Sequence, residues 1–286
     1  MTTPPRPDAH GETRLALARR VADAHRGIDA SSLLSFVSGS TVEGIADARS
    51  DVDMSVLFAA LPEERLLRDA CRTIGGEWFW SSGNVSEGLV VSFMLDGIEV
   101  QIGYNSEARF VADLDEVLVR HDPDTVNHKL AEGVLKGVPL AGAERFHALQ
   151  QRLAAFPAPL ARAMVERGLK PVGSWRGVSI LLHRDAALWL REVQVDACYR
   201  LLQVLCGLNR RYFTRYQVKR THRLAAALTI APPALGDRIE ELLHAPVRPG
   251  CVALHALEGD VVELVAVHMP DVDLARIRAL REVFAP

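Results

Sequence analysis

The spacing of apolar positions changes about halfway along the chain. In residues 12–26, ETRLALARRVADAHR, Leu15, Ala18, Val21 and Ala22 recur at helical steps and predict a helix. LLSFVSG at 33–39 is a short apolar run closed by a turn signal, which predicts a strand. VDMSVLFA at 52–59 predicts the next strand, with Val52, Met54, Val56 and Phe58 on one face. PEERLLRDACRTIG opens on Pro62 and closes on Gly75, the punctuation of a helix. LVVSFML and IEVQIGY flank Asp96-Gly97, a strong hairpin signal. Residues 113–120 and 125–133 predict short helices.

From about Ala143 onward strand signals nearly vanish. Helical spacing runs through 143–155, 157–168, 174–209, 214–229, 234–243 and 273–283, punctuated by Pro157, Pro159, Pro171, Pro232 and Pro233. The expected fold class is therefore α+β. A mixed-sheet domain over residues 1–145 precedes an all-α helical bundle over 146–286.

Composition narrows the setting. The chain has 286 residues, 49% hydrophobic and 24% charged, the balance of a globular protein. A net charge of −3 argues against a surface built to hold nucleic acid, so any polyanion site must be local. Cys71, Cys198, Cys206 and Cys251 form no CxxC pair, which argues against a structural zinc or a disulfide framework. Cys198 and Cys206 fall on one helix face, as small buried thiols do. MTTPPRPDAHGETR lacks the apolar core of a leader, and no window approaches 18 apolar residues. The expectation is a cytoplasmic chain without a membrane span.

One stretch carries chemistry. In SGSTVEGIADARSDVDMSV, Asp51 and Asp53 sit two apart at the start of a strand, so both carboxylates leave the same face. Two such groups repel unless a cation lies between them, and hard oxygen pairs of this kind suit Mg²⁺ beside phosphate oxygens. Gly39 would let the backbone approach a phosphate, and the Ser40 hydroxyl could donate to it. Glu99 is the acid on the Glu99/Gln101 face of the later strand. It could complete a two-metal site or act as general base.

These residues resemble the DNA polymerase β-like nucleotidyltransferase superfamily, whose signature is Gly-Ser, about ten residues, then Asp-x-Asp in a strand. The fuller pattern of Gly39, Ser40, Glu43, Gly44, Ser50, Asp51 and Asp53 is most similar to streptomycin/spectinomycin-type aminoglycoside adenylyltransferases. Glu99, Gln101, Ile102 and Gly103 resemble their Glu-x-Gln-apolar-Gly strand, in which the Glu is the catalytic base. Many members of the superfamily carry an aspartate where Gln101 stands. The resemblance implies an ATP or other NTP co-substrate, Mg²⁺ (two ions) on Asp51, Asp53 and Glu99, and phosphates over Gly39 and Ser40. Ser50, with Lys219 of the helical half, would steady the triphosphate. The implied reaction moves a nucleoside monophosphate to a hydroxyl of a small acceptor, an aminoglycoside among the candidates, and releases pyrophosphate. Transfer to a protein or a tRNA end, or nucleotide binding without turnover, are the alternatives.

Other features compete for a role. Arg210, Arg211, Arg215, Lys219, Arg220 and Arg223 interleave with Tyr212, Phe213 and Tyr216, which reads as a solvated helix face or a local polyanion contact. His121, Asp122 and His128 could ligate a second metal but read more simply as turn and cap chemistry. Trp78, Trp80, Trp175 and Trp189 read as core or cleft-wall residues, and Trp189 with Glu192 and Asp196 could line an acceptor pocket.

Overall fold

The computed structural model describes residues 9–169 and 180–283. It divides into two units, Met1–Glu116 with Leu130–Ala155, and Val117–Lys129 with Phe156–Pro286. Trp175 and the part of the expected 174–209 helix before residue 180 lie outside the described residues.

The first unit is α+β. Its elements are α1 (Ala9–Asp29), β1 (Leu34–Ser38), β2 (Val52–Phe58), α2 (Glu64–Thr73), β3 (Glu77–Asn84), β4 (Gly88–Leu95) and β5 (Ile98–Ser106). They continue with α3 (Glu107–Leu118), α4 (His128–Lys136), β6 (Val138–Ala141) and α5 (Ala143–Ala154); the last two residues of α3 and the first two of α4 fall in the second unit. The six strands form one mixed sheet in the order β3-β4-β5-β2-β1-β6. Only β2 and β5 pair in parallel among them.

Alternation places the core on one sheet face. Val52, Met54, Val56 and Phe58 of β2 are buried with Val100, Ile102 and Tyr104 of β5 and Leu89, Val91 and Phe93 of β4. Helix α1 covers them with Leu17, Ala18, Val21 and Ala22, and α2 with Leu67 and Cys71. Each large apolar side chain buried in this layer contributes roughly 1.5–3 kcal/mol. On the other face, Phe36 of β1 packs on Phe110 of α3 and Phe146 of α5, with ring centroids 6.0 and 4.9 Å away. The hairpin expected at Asp96-Gly97 is present, with φ values of 53° and 79° that a two-residue primed turn requires.

Both edge strands escape the sequence pattern. β3 reads EWFWSSGN and buries only Trp78, so its pairing with β4 rests on backbone hydrogen bonds that leave no apolar alternation. β6 is four residues long and carries Pro139, which an edge strand tolerates.

Among the described residues the second unit is helical: α6 (Ala158–Gly168), α7 (Ala187–Leu208), α8 (Thr221–Ala226), α9 (Leu235–His244), α10 (Val247–His268) and α11 (Ala275–Val283). The C-terminal part of α7 is buried from Leu201 to Leu208, packed by α6 and α10, and includes Cys206; Cys198 is buried just before it. The expected helix over 214–229 is broken. Thr214 and Gln217 close a capping box around a 3₁₀ turn at Arg215–Gln217, and only Thr221–Ala226 is α-helical. Pro249 and Gly250 hide helix α10 from the pattern, yet a proline in the first turn removes no needed hydrogen bond. All four cysteines are free and buried, and burial pushes the Cys198 thiol up to about 12.

Each unit buries a neutral histidine. In the first, His25 Nδ1 donates to the Val21 carbonyl and Nε2 accepts from the Tyr104 hydroxyl, both at 2.7 Å. In the second, His128 Nε2 donates to the Asp122 carbonyl at 2.9 Å and Nδ1 accepts the Phe213 N–H at 3.3 Å. Burial holds both below the ordinary 6.5. The unfolded chain therefore takes up these protons first as pH falls. Stability is full above the ordinary value and is lost as pH drops toward the folded-state values. Urea midpoints are expected to fall between about pH 7 and about pH 5, and His128→Asn to flatten that slope for the helical unit. An equal slope in the variant would exclude His128 as a source.

Candidate active site

Strand order and register assemble a polar patch at one end of the sheet face opposite α1 and α2. Ser38 of β1 pairs with Asp53, and Asp53 pairs with Gln101 of β5, so all three side chains leave the same side of the sheet. Asp51 and Glu99 immediately precede the Val52–Val100 pair, which sets them side by side at the edge of the same face. Asp51, Asp53, Glu99 and Gln101 are half-buried, while the alternate residues Val52, Val100 and Ile102 are sealed in the core. Glu99 Oε1 accepts from the Gln101 amide at 3.2 Å; its other oxygen has no partner among the described residues.

The end of β1 turns sharply beneath this face. Gly39–Thr41 is a single 3₁₀ turn closed by the Val42 N–H donating to the Gly39 carbonyl at 3.2 Å. Gly39 has φ +67°, which L residues adopt only at a cost. A Cβ placed on it would stand 2.5 Å from Asp53 Oδ2. The absent side chain is thus the space the Asp53 carboxylate occupies. Ser40 is half-buried in the same turn.

The loop from Glu43 to Asp51 is fastened at three points. Glu43 takes an ion pair from Lys136 of α4 at 3.1 Å, and Glu132 shares the same amine at 2.7 Å. Burial works against that charge, but Glu132 and Glu43 outweigh it and hold the amine above its ordinary value. The Ser50 hydroxyl accepts the Asp47 N–H at 2.9 Å and donates to the Asp47 carboxylate at 3.1 Å, closing its own turn. Arg14 of α1, only 3% exposed, donates from Nε to the Ser50 carbonyl at 2.7 Å, one residue before Asp51. Among the described residues Arg14 has no ion pair. Its burial is visible in the sequence only in retrospect. Gly11, Arg14, Leu17, Ala18, Val21, Ala22 and His25 form one buried helical stripe, and a charge within it signals a buried partner.

The fold thus brings Gly39, Ser40, Ser50, Asp51, Asp53 and Glu99 to one end of the sheet of the first unit. Lys219 belongs to the second unit and is exposed. It sits in a bend between the Arg215–Gln217 turn and α8, with its N–H donating to the Gln217 carbonyl at 2.9 Å. His128 and Asp122, weighed as metal ligands, instead bond to backbone: His128 as above, and Asp122 Oδ1 from the Asp124 N–H at 2.9 Å in a turn. Trp78 is buried under the Arg68 guanidinium, 4.3 Å from its ring centroid, whereas Trp80 and Trp189 are exposed.

Asp51 and Asp53 supply hard oxygen donors, with no His or Cys beside them in the loop, the chemistry that suits Mg²⁺. Among the described residues no three acidic, His or Cys side chains converge to a ready-made metal cage. A two-carboxylate site completed by phosphate oxygens is the pattern that Mg²⁺ commonly takes with nucleotides, so the residues present fit the ion.

No protein-family profile and no curated protein matches the chain. Several solved structures are similar to it, among them the following two. One is a nucleotidyltransferase-like protein from Exiguobacterium sibiricum, 14% identical, covering 94% of this chain and 87% of that one, with a TM-score of 0.43. The other is a Thermotoga maritima CCA-adding enzyme complexed with tRNA, 13% identical, covering 96% of this chain and 78% of that one, with a TM-score of 0.26.

The Gly39–Asp53 contact can be tested without any ligand. Gly39→Ala is expected to lower stability by about 1–3 kcal/mol, from backbone strain plus overlap with the carboxylate. In an Asp53→Ala background the same change should cost about 1 kcal/mol less, because only the strain remains. Thermal or urea unfolding of the four chains measures this; additive costs would mean the two residues do not touch.

Proposed function

We propose that the chain is a Mg²⁺-dependent nucleotidyltransferase. It moves a nucleoside monophosphate, AMP from ATP, to a hydroxyl of a small-molecule acceptor and releases pyrophosphate. The observation that carries this reading is the Asp53 carboxylate packed over Gly39 at the strand-end turn, with Asp51 and Glu99 at the same sheet end. Generic solvated turn chemistry explains none of this: it needs neither a positive-φ glycine under a carboxylate nor a third acid placed by parallel pairing.

In this reading the turn at Gly39-Ser40 receives the triphosphate through backbone N–H groups and the Ser40 hydroxyl. Asp51 and Asp53, with Glu99, hold the Mg²⁺, two ions in the full form, which supplies charge neutralisation at the phosphates when bound. Glu99 takes the proton of the acceptor hydroxyl at its open carboxylate oxygen. The acceptor oxygen forms a bond to the α-phosphorus as the bond to the bridging oxygen of pyrophosphate breaks. Ser50 works through the loop it closes, and Lys219 supplies a positive charge to the phosphates from the helical domain. Residues 1–145 serve as the catalytic domain, and 146–286 as a helical domain that closes on nucleotide and acceptor. The setting is cytoplasmic. An aminoglycoside is one acceptor to test, and a protein or a tRNA end is another.

The lack of a three-ligand cluster among the described residues favours one second reading, a nucleotide sensor that binds without turnover. Incubation with MgATP and a panel of hydroxyl acceptors, followed by pyrophosphate release, separates the two. The transferase reading expects release that depends on acceptor. It also expects Asp53→Asn to lower the rate by on the order of 10³-fold or more, since a lost metal ligand removes several kcal/mol of transition-state stabilisation. Calorimetric binding of MgATP with no release on any acceptor would establish the sensor instead. Full turnover in Asp53→Asn would refute the assignment of the site.

A further inference from the structure

The second unit holds a cavity of about 300 Å³ that none of the chemistry above uses. It lies between α6, α7 and the segments 123–126 and 213–216, all within that unit. Its floor is made of Gln203, Phe213 and Thr214, each less than a tenth exposed. The volume is at the lower end of the about 300–1,000 Å³ typical of small-molecule sites.

The floor is held rigid. Gln203 donates to the Pro123 carbonyl at 2.5 Å, and the Phe213 N–H is held by His128 Nδ1 at 3.3 Å. Thr214 and Gln217 lock the following turn through their reciprocal capping bonds. A site on such a support keeps its geometry before a ligand arrives, which lowers the ordering cost of binding.

The wall is dominated by guanidinium groups. Arg167 pairs with Asp124, and Arg200 with Asp196 at 2.7 Å, each through Nε. Pairing through Nε leaves the terminal nitrogens of Arg167 without a partner among the described residues. Arg215 has no ion pair among the described residues; its guanidinium lies over the Tyr216 ring, 5.6 Å from the centroid. Three arginines against two carboxylates leave the cavity one net positive charge, carried by Arg215. Aromatic rings complete it: Tyr199 and the exposed Tyr216 on the wall, Phe213 below.

We propose that this cavity binds a small anion borne on a flat ring, an aromatic phosphate or carboxylate. Planar guanidinium groups grip either oxyanion through paired N–H donors, and the tyrosine and phenylalanine rings take the ring face. A polycation is disfavoured by the same arginines. The cavity therefore selects by charge sign and by flatness, two properties that a probe set can vary independently.

Titration calorimetry on the full chain in EDTA, which removes divalent ions from the Asp51/Asp53 site, tests this with phenyl phosphate, benzoate, inorganic phosphate and benzylamine. At least one of phenyl phosphate and benzoate is expected to bind, about tenfold more tightly than inorganic phosphate. The order of the two tells which headgroup the arginines prefer. Arg215→Gln and Arg167→Gln should each weaken the better probe about tenfold. Tyr216→Ala should remove the preference for the ring and leave inorganic phosphate unchanged. Arg215 and Tyr216 are exposed, so their variants are expected to keep the fold, which circular dichroism of all three variants checks. Asp53→Asn should leave binding unchanged, which separates this cavity from the candidate active site. The proposal is overturned if neither aromatic anion binds at about 10 mM. Equal binding of benzylamine, or undiminished affinity in both arginine variants, overturns it too.

Discussion

Parallel pairing of β2 with β5 is the constraint on which the candidate site depends. Parallel neighbours run their residues in the same direction, so the acids at the starts of both strands arrive at one end of the sheet. An antiparallel pair in the same positions would send Glu99 to the opposite end from Asp51. Such a parallel pair needs a long connection, and the chain supplies it with α2, β3 and β4. β4 then pairs antiparallel with β5 and seals its other side, which fixes the register of Glu99 from both neighbours. Core burial of Val100, Ile102 and Tyr104 makes a one-residue slip costly, because it would turn every one of them to the polar face.

The loop between β1 and β2 buries Val42 and Ala46, and charged side chains fasten it at both ends. Arg14 is a buried cation whose partners are carbonyls, of Ser50 and of His10 at 2.7 and 3.1 Å. A buried charge is expensive unless hydrogen-bonded, and these two carbonyls supply the bonds that offset the burial of Arg14. Lys136 anchors Glu43 at the other end of the loop. The consequence is a loop whose two ends are tied to α1 and α4, elements on either side of it in the chain.

Much of this organisation is legible in the amino-acid pattern, for identifiable reasons. Strands β1, β2, β4 and β5 each bury an apolar face, and the Asp96-Gly97 turn has its own chemistry, so pattern and structure agree there. The grouping of Gly39 with Asp53 follows from their spacing once both strands are placed. What pattern does not convey is pairing by backbone alone, as in β3 and β6. Nor does it convey how readily a first helical turn accepts proline, as α10 accepts Pro249. Residues 214–229 mislead because helical spacing there is overridden by the local bonds of Thr214 and Gln217. Arg14, Lys136 and the arginine-lined cavity of the helical unit depend on contacts between residues far apart in the chain. No local window contains them.

The outer strand β3 has a consequence for how the molecule keeps to itself. Its eight residues form an edge of the sheet, and Phe79 and Trp80 are 61% and 50% exposed. A flat strand of that kind would recruit a strand from another copy. The register shift between Trp78 and Trp80 bends it, and Ser81, Ser82 and Asn84 keep its far half polar. At the opposite edge Pro139 removes a donor from β6. The chain thus guards both margins of its sheet against stacking into fibres, by a bend at one and a missing hydrogen at the other.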